Sequence, residues 1–368
     1  MSRRATVFIN GRFYIQPMSG VQRYAHEIVA QLDELAGEGE SDLGYVLLTP
    51  KGARPAGLKH IKQRCVGPLQ GHGWDQLTFA MAARDGVALS LAMTGPILHR
   101  RHLVVIHDAA VQRHPEHFSR AYGLAHNMID RALARTATIA TVSEFSRAEL
   151  AELLHVPASS VVVAPNGWQH MEIEPDLSVT ERLGLAGRPF FLILGNLTKN
   201  KNLAVAMRAL GRLPADAGRL VAVGRIDHSV FGTGDVPVPG ANLLLPGRLN
   251  DAEVAGLMRS AKALIFPSIY EGFGIPPLEA LVNRCPVLAS TAAAVREVCG
   301  PAAEYFEPHD DARLAELMAM VLRDDGSWRL AQLANGGERL ARYSWRRSAE
   351  TLAAACASLA HGERVSVS

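Results

Sequence analysis

At 368 residues the chain is too long for a single typical core, so two domains are expected, and a formal net charge of +2 gives no reason to expect a nucleic-acid surface. A hydrophobic content of 48% describes an ordinary globular protein, and no apolar run approaches the length of a bilayer span. The four cysteines (Cys65, Cys285, Cys299 and Cys356) are far apart and form no CxxC pair, which reads as reduced thiols in the cytoplasm.

The first residues lead straight into a strand-like run, Thr6–Asn10, rather than into the apolar segment of a signal peptide. A polar loop follows, and then a helix with Val21, Tyr24, Ile28, Val29 and Leu32 in register. Ser19 and Gln22 have the spacing of a capping box, and the N–H groups at this helix start, beside Gly20, read equally well as an anion site or as a capped surface helix. Further strands are predicted at 44–48, 87–91, 103–106, 137–142 and 160–164, with helices at 119–133 and 146–154. Strands apolar throughout, alternating with helices, predict a parallel sheet covered on both faces.

Asn166-Gly167 is a turn signal, and the polar stretch from Gln169 to Arg188 reads as an interdomain linker. The plan then repeats, with short apolar strands at 189–194, 220–223, 242–245, 263–266 and 286–289. Helices are predicted at 203–213, 251–261, 278–282 and 310–322, and a last helix at 344–360 carries Trp345, Leu352, Cys356 and Leu359 on one side. The fold class is therefore α/β in two consecutive halves, each with its own sheet.

Three stretches at strand ends carry chemistry. Glu271 and Glu279 flank a glycine- and proline-rich turn between a buried strand and a helix, at the edge of a parallel sheet where ligands bind. They read either as a general acid and base or, for Glu279, as a carboxylate favoured near a helix start. The loop from Gly195 to Leu203 places Lys199 and Lys201 beside a helix N-terminus, which suits a diphosphate, although solvated lysines in a loop are common. His107 closes a strand and reads as a ligand for a polyol or as a structural histidine. The spacing of His107, His114 and His117 fits no standard zinc site, and Pro115 breaks any helix that would align them. No G-x-G-x-x-G, P-loop or G-x-S-x-G elbow is present.

Taken together these stretches resemble the retaining glycosyltransferases of family GT4, with the GT-B fold, over nearly the whole chain. The most specific element is the E-x7-E motif in EGFGIPPLE, Glu271 to Glu279. SGVQRY (19–24), VIHDAAVQRHPEHFS (105–119), TVSEFSR (141–147), APNG (164–167), Lys201-Asn202 and Tyr343-Ser-Trp345 support it. GRFYIQPMSGVQRYA (11–25) is similar to a subgroup of bacterial polysaccharide biosynthesis.

The resemblance implies two Rossmann-like domains with parallel sheets facing across a cleft. Residues 1–168 would form the acceptor side and 169–343 the nucleotide-sugar side, with 344–368 crossing back to the first domain. It implies that Glu279 holds the donor's ribose and that Glu271, Gly272, Phe273 and Gly274 line the pocket for the transferred sugar. Lys201 would neutralise the diphosphate, helped by backbone N–H groups near Gly20, and His107 would contact the donor sugar. The family usually has arginine after the glycine of the loop at Gly195, where this chain has Asn196, so Lys199 or Arg248 is expected to supply the second cation. No metal or other cofactor is expected, and no D-x-D motif is present. The implied reaction moves a hexose, mannose favoured, from GDP-mannose or a UDP-sugar to a glycan or lipid-linked saccharide, as in exopolysaccharide or lipopolysaccharide assembly. The alternatives are a non-catalytic sugar-nucleotide-binding protein and a sugar-nucleotide epimerase. A cytoplasmic location is expected, with Arg3-Arg4 and the segment 99–102 reading as a solvated basic patch or as a peripheral contact with the inner membrane.

Overall fold

The computed structural model describes residues 4–39, 42–196, 198–225, 242–363 and 365. Arg3 of the expected basic pair, Leu197 of the lysine-bearing loop and the side chain of His117 lie outside the described residues. The chain divides into two compact units, Met1–Asn166 with Ser344–Ser368, and Gly167–Tyr343.

In the first unit seven strands, β1 (Ala5–Asn10), β2 (Leu43–Thr49), β3 (Lys62–Cys65), β4 (Val87–Ser90), β5 (His102–Val105), β6 (Thr138–Thr141) and β7 (Val162–Val163), form one sheet. Their order is β3-β2-β1-β4-β5-β6-β7, and every pairing is parallel. All of β4 and β5 is buried, which is why their sequences read as uninterrupted apolar runs rather than as alternation. The edge strand β3 is polar and mostly exposed, and a charged edge discourages pairing with another chain. No hydropathy signal marks it.

The helix Gly20–Glu38 buries Tyr24, Ala25, Ile28, Val29 and Leu32 against this sheet. On the same face Asp33 accepts the backbone N–H groups of Lys59, His60 and Ile61 at 2.7, 2.8 and 2.6 Å, which fixes the approach to β3. The last helix, Trp345–Ala360, belongs to this unit and buries Trp345, Ala349, Leu352 and Cys356 on one face. Trp345 packs edge-on against Tyr24 at 5.8 Å, the Ser348 hydroxyl donates to the Pro165 carbonyl at 2.6 Å, and Arg346 grips Glu38 through two hydrogen bonds.

The second unit has six parallel strands, β8 (Phe190–Leu194), β9 (Arg219–Val223), β10 (Leu243–Gly247), β11 (Ala263–Phe266), β12 (Val287–Ser290) and β13 (Glu304–Phe306), ordered β10-β9-β8-β11-β12-β13. One face of the sheet packs its Phe191, Ile193 and Ile265 with Leu203, Ala206 and Leu210 of the helix Leu203–Gly211 and with Leu314 and Met318 of Asp311–Arg323. The stretch read as a linker is instead part of this unit. It buries Met171, Val179 and Leu185, and the Asp176 N–H donates to the Ala252 carbonyl at 2.9 Å. Its polarity misled because only three of its side chains are fully buried apolar groups, while many of the others are exposed.

Among the described residues no helix is long and apolar enough to cross a membrane. All four cysteines are free. Cys285, Cys299 and Cys356 are buried, and burial pushes each of these thiols up to about 12.

Candidate functional site

In the second unit the strand order reverses direction between β8 and β11, the position at which open parallel sheets bind ligands. The β8 loop makes a single turn of 3-10 helix, Lys199–Lys201, and ends at Asn202 in the left-handed region (φ 50°, ψ 41°). Asparagine tolerates that conformation, and here its Nδ2 donates to the carbonyls of Pro267 and Pro308 at 3.2 and 2.5 Å, tying the turn to the end of β11. Asn200 stitches the same two loops together. Its carbonyl accepts the Ile269 N–H at 2.9 Å and its Nδ2 donates to the Tyr270 carbonyl at 2.5 Å.

This stitching brings Lys201 Nζ to 2.5 Å from Glu271 Oε1, with 20% and 15% of the two side chains exposed. The ammonium also stands 5.1 Å from the centre of the Phe266 ring. A charge-assisted contact of this kind contributes about 1.5–3 kcal/mol. Two further polar atoms at this edge, Asn200 Oδ1 and Ser268 Oγ, are buried without a partner among the described residues. Each costs about 1–3 kcal/mol unless a ligand or water meets it.

The helix Ile275–Val282 opens after Gly274, whose φ of 99° is a conformation that only glycine adopts freely. Pro276 and Pro277 fit in its first turn, where N–H groups have no intrahelical partner. Glu279 is not on an exposed turn. His170 Nε2 donates to Glu279 Oε1 at 2.8 Å, and only 3% of the His170 side chain is accessible. His170 is delivered by the supposed linker, which docks through the Trp168 indole N–H on the Leu340 carbonyl (2.8 Å) and Gln169 Nε2 on the Tyr343 carbonyl (3.2 Å). A lone histidine in a polar stretch carries no sequence signal for this role. Phe273 is turned into the core, edge-on to Tyr343 at 5.2 Å, so only its backbone and those of buried Gly272 and Gly274 are placed near Glu271. Asn196 is half-buried and Lys199 exposed, whereas exposed Arg248 follows β10, two strands away from β8.

In the first unit the same reversal lies between β1 and β4. Gly20 is exposed and opens its helix, but the expected capping box does not form. The Ser19 hydroxyl bonds Gln22 Oε1, leaving the helix start without a side-chain cap. His107 follows β5 and is buried, with Nε2 at 2.9 Å from the Leu91 carbonyl and its ring edge-on to Tyr24 at 4.8 Å. A carbonyl can only accept, so Nε2 carries the proton. Burial pushes His107 down to about 4, so the ring is neutral near pH 7 and its Nδ1 is left as an acceptor.

A buried network that the sequence did not announce lies at the β1 end. Asp75, fully buried in a π-helical turn (Trp74–Phe79), accepts Asn10 Nδ2 at 2.9 Å and pairs with Arg12 Nε at 3.2 Å. Arg12 also donates to Thr94 at 2.7 Å. Burial pushes the Asp75 carboxyl above its ordinary range against the pull of Arg12. Further along, Asp130 is buried with Oδ1 unpartnered among the described residues, and burial pushes it up to about 6.

Residues 180–339 match the family described as glycosyl transferases group 1. The O-antigen chain mannosyltransferase B of Escherichia coli is 26% identical over 256 residues, 67% of either chain. The serotype-specific mannosyltransferase WbdA of Escherichia coli is 22% identical over 372 residues, which cover 94% of this chain but 44% of that one, so this chain spans less than half of that relative. Anabaena HepE, solved in complex with UDP-glucose, superposes with a TM-score of 0.72 at 16% identity over 96% of this chain and all of its own. WaaG, a glycosyltransferase involved in lipopolysaccharide biosynthesis, superposes with a TM-score of 0.69 at 17% identity over 97% of this chain and all of its own. The fold is thus the GT-B fold of glycosyltransferases, and the segment 180–339 carries the match to glycosyl transferases group 1.

Proposed function

We propose that the chain is a retaining glycosyltransferase that moves a hexose, mannose first among candidates, from a nucleotide-diphosphate sugar to a glycan or lipid-linked saccharide in polysaccharide assembly. The observation that carries this reading is the contact of Lys201 with Glu271 at the β8–β11 reversal, with Glu279 held by His170 on the helix that follows. A departing nucleoside diphosphate develops negative charge, and Lys201 offers it a cation without a metal. In the free protein that cation is held by Glu271, so donor binding exchanges one partner for another. Glu271 then accepts a sugar hydroxyl, and Glu279, oriented by His170, accepts from the ribose.

These two carboxylates position the donor rather than act as an acid–base pair. In the first unit His107 presents Nδ1 as an acceptor for a sugar hydroxyl, and the uncapped helix start at Gly20 offers N–H groups to an anion. Mannose leads because the curated relatives named above are mannosyltransferases, and UDP-sugars follow because HepE was solved with UDP-glucose.

The test is incubation with labelled GDP-mannose and UDP-sugars, with simple alkyl glycosides as acceptors. Transfer or donor hydrolysis that disappears in Glu271→Gln, with the product's anomeric configuration kept, supports the reading. Nucleotide-sugar binding without turnover on every donor overturns it in favour of a binding protein. Release of the nucleotide with an altered free sugar and no need for an acceptor points to an epimerase.

A further inference from the structure

We propose that Arg225 is the second cation of the diphosphate subsite, standing with Lys201 at the carboxyl edge of the second unit's sheet. The inference rests on the reading that this edge takes a nucleoside diphosphate, and it is carried by charge and register.

Lys201 enters the site already matched by Glu271, so the pair brings no net positive charge to a diphosphate with at least two negative charges. Asn196, in the loop leaving β8, is neutral. The parallel pairing of β8 with β9 sets Leu194 beside Val223, and the Gly195 N–H donating to the Val223 carbonyl at 3.0 Å carries the ladder beyond the last paired residues. One step further Gly195 meets Gly224, and Arg225 is the next residue to leave the strand.

The structure fixes that register tightly. Gly224 has a φ of 146°, and a Cβ there would lie 1.9 Å from the Gly195 carbonyl oxygen, so the two backbones touch and only glycine fits. From the other side the Gly224 N–H donates to the Gly247 carbonyl at 2.9 Å. Arg225 directly follows that close approach at the end of β9, next to the loop that bears Lys201, while Arg248 follows the next strand out. Arg225 is exposed, and its planar fork of donors suits a pair of phosphate oxygens better than a point charge does.

The experiment is calorimetric titration of the full chain with GDP, UDP, GMP and UMP, comparing wild type with Arg225→Ala, Arg225→Lys, Arg248→Ala and Lys201→Ala. Expected is a loss of about tenfold in diphosphate affinity for Arg225→Ala, partly restored by lysine, with monophosphate affinity changed less than about twofold. An unchanged melting temperature of unliganded Arg225→Ala shows that folding is intact. Wild-type diphosphate affinity in Arg225→Ala, alongside a loss in Lys201→Ala, overturns the assignment and leaves the wider reading standing. Equal losses for mono- and diphosphates also overturn it, because they place Arg225 on another part of the ligand. A tenfold loss in Arg248→Ala with none in Arg225→Ala moves the role to the outer strand. Wild type binding neither diphosphate removes both the inference and the reading it rests on.

Discussion

At the carboxyl edge of the first unit's sheet Arg12 meets Asp75, which is fully buried and hydrogen-bonded on both oxygens, while 14% of the Arg12 side chain is exposed. At the corresponding edge of the second unit a lysine and a glutamate meet more closely and both keep part of their side chains, a fifth and a seventh, in contact with solvent. The two sheets share a parallel plan and a reversal of strand order, so the difference comes from the loops. In the first unit the β1 end is covered by the π-helical turn Trp74–Phe79, anchored where the Trp74 indole N–H donates to the Val66 carbonyl at 3.0 Å. In the second, two short turns are stitched edge to edge by Asn200 and leave their charged groups at the rim. An ion pair that is covered serves the fold, whereas one left at the rim is available to a ligand.

Deleting the cation from each pair tests that contrast most severely. Arg12→Ala leaves Asp75 buried without its countercharge and is expected to cost about 3–5 kcal/mol of stability, measured by urea unfolding. Lys201→Ala removes a contact at the rim and is expected to cost less, about 1.5–3 kcal/mol of stability, while lowering transfer by roughly 10²–10³-fold, as loss of one preorganised donor does. Equal stability losses in the two variants would erase the distinction.

His170 gives a smaller effect within the second unit. His170→Ala leaves Glu279 without this partner and is expected to weaken donor binding by about 1–2 kcal/mol, seen mainly in donor KM. His170→Gln, which keeps an N–H donor, is expected to recover part of that loss. A uniform fall in kcat with unchanged KM would argue against a positioning role.

A pH dependence is also expected from the first unit. Burial lowers His102 to about 3 and His107 to about 4. Each therefore contributes stability that is present above the ordinary histidine value of about 6.5 and is lost as the pH falls through the folded value. Asp130 runs the other way. Its pKa is raised to about 6, so its contribution is full below about 3.8 and lost as the pH rises through 6. His102→Asn should flatten the acid limb of the melting curve, and Asp130→Asn should flatten the limb between pH 4 and 6. Curves that match wild type in both would show that these groups do not govern the acid response.

Much of this architecture is legible in the sequence where burial is two-sided. The runs that became β4, β5, β8, β11 and β12 are apolar but for Ser90, His102 and Ser290 at their ends, and the pattern finds them within a residue or so of either end. Polar β3, three-residue β13 and the helix Ser327–Arg342, whose turns mix arginine, glycine and asparagine and whose buried positions are Gln332, Gly336 and Arg339, leave no such trace. Lys201 and Glu271 could be named as candidates because each lies in a distinctive turn next to a strand. Their contact could not, since it spans 70 residues, and the Asp75–Asn10 and His170–Glu279 bonds span 65 and 109. No local pattern announces that a buried aspartate has an arginine waiting, or that a polar stretch will dock a histidine on the helix that bears Glu279.

The helix Trp345–Ala360 has a consequence for how the molecule comes into being. The face that it covers, with Tyr24 and the Ala164-Pro165 backbone at its centre, is complete in sequence once residue 166 has been made. Its cover is encoded only after the whole of Gly167–Tyr343. On a ribosome the second unit can therefore close while the first is still open, which reverses the order in which the two emerge. A fragment ending at Asn166 is the start of a unit rather than a unit, and an isolated first unit calls for residues 344–360 joined back to it through a new connection.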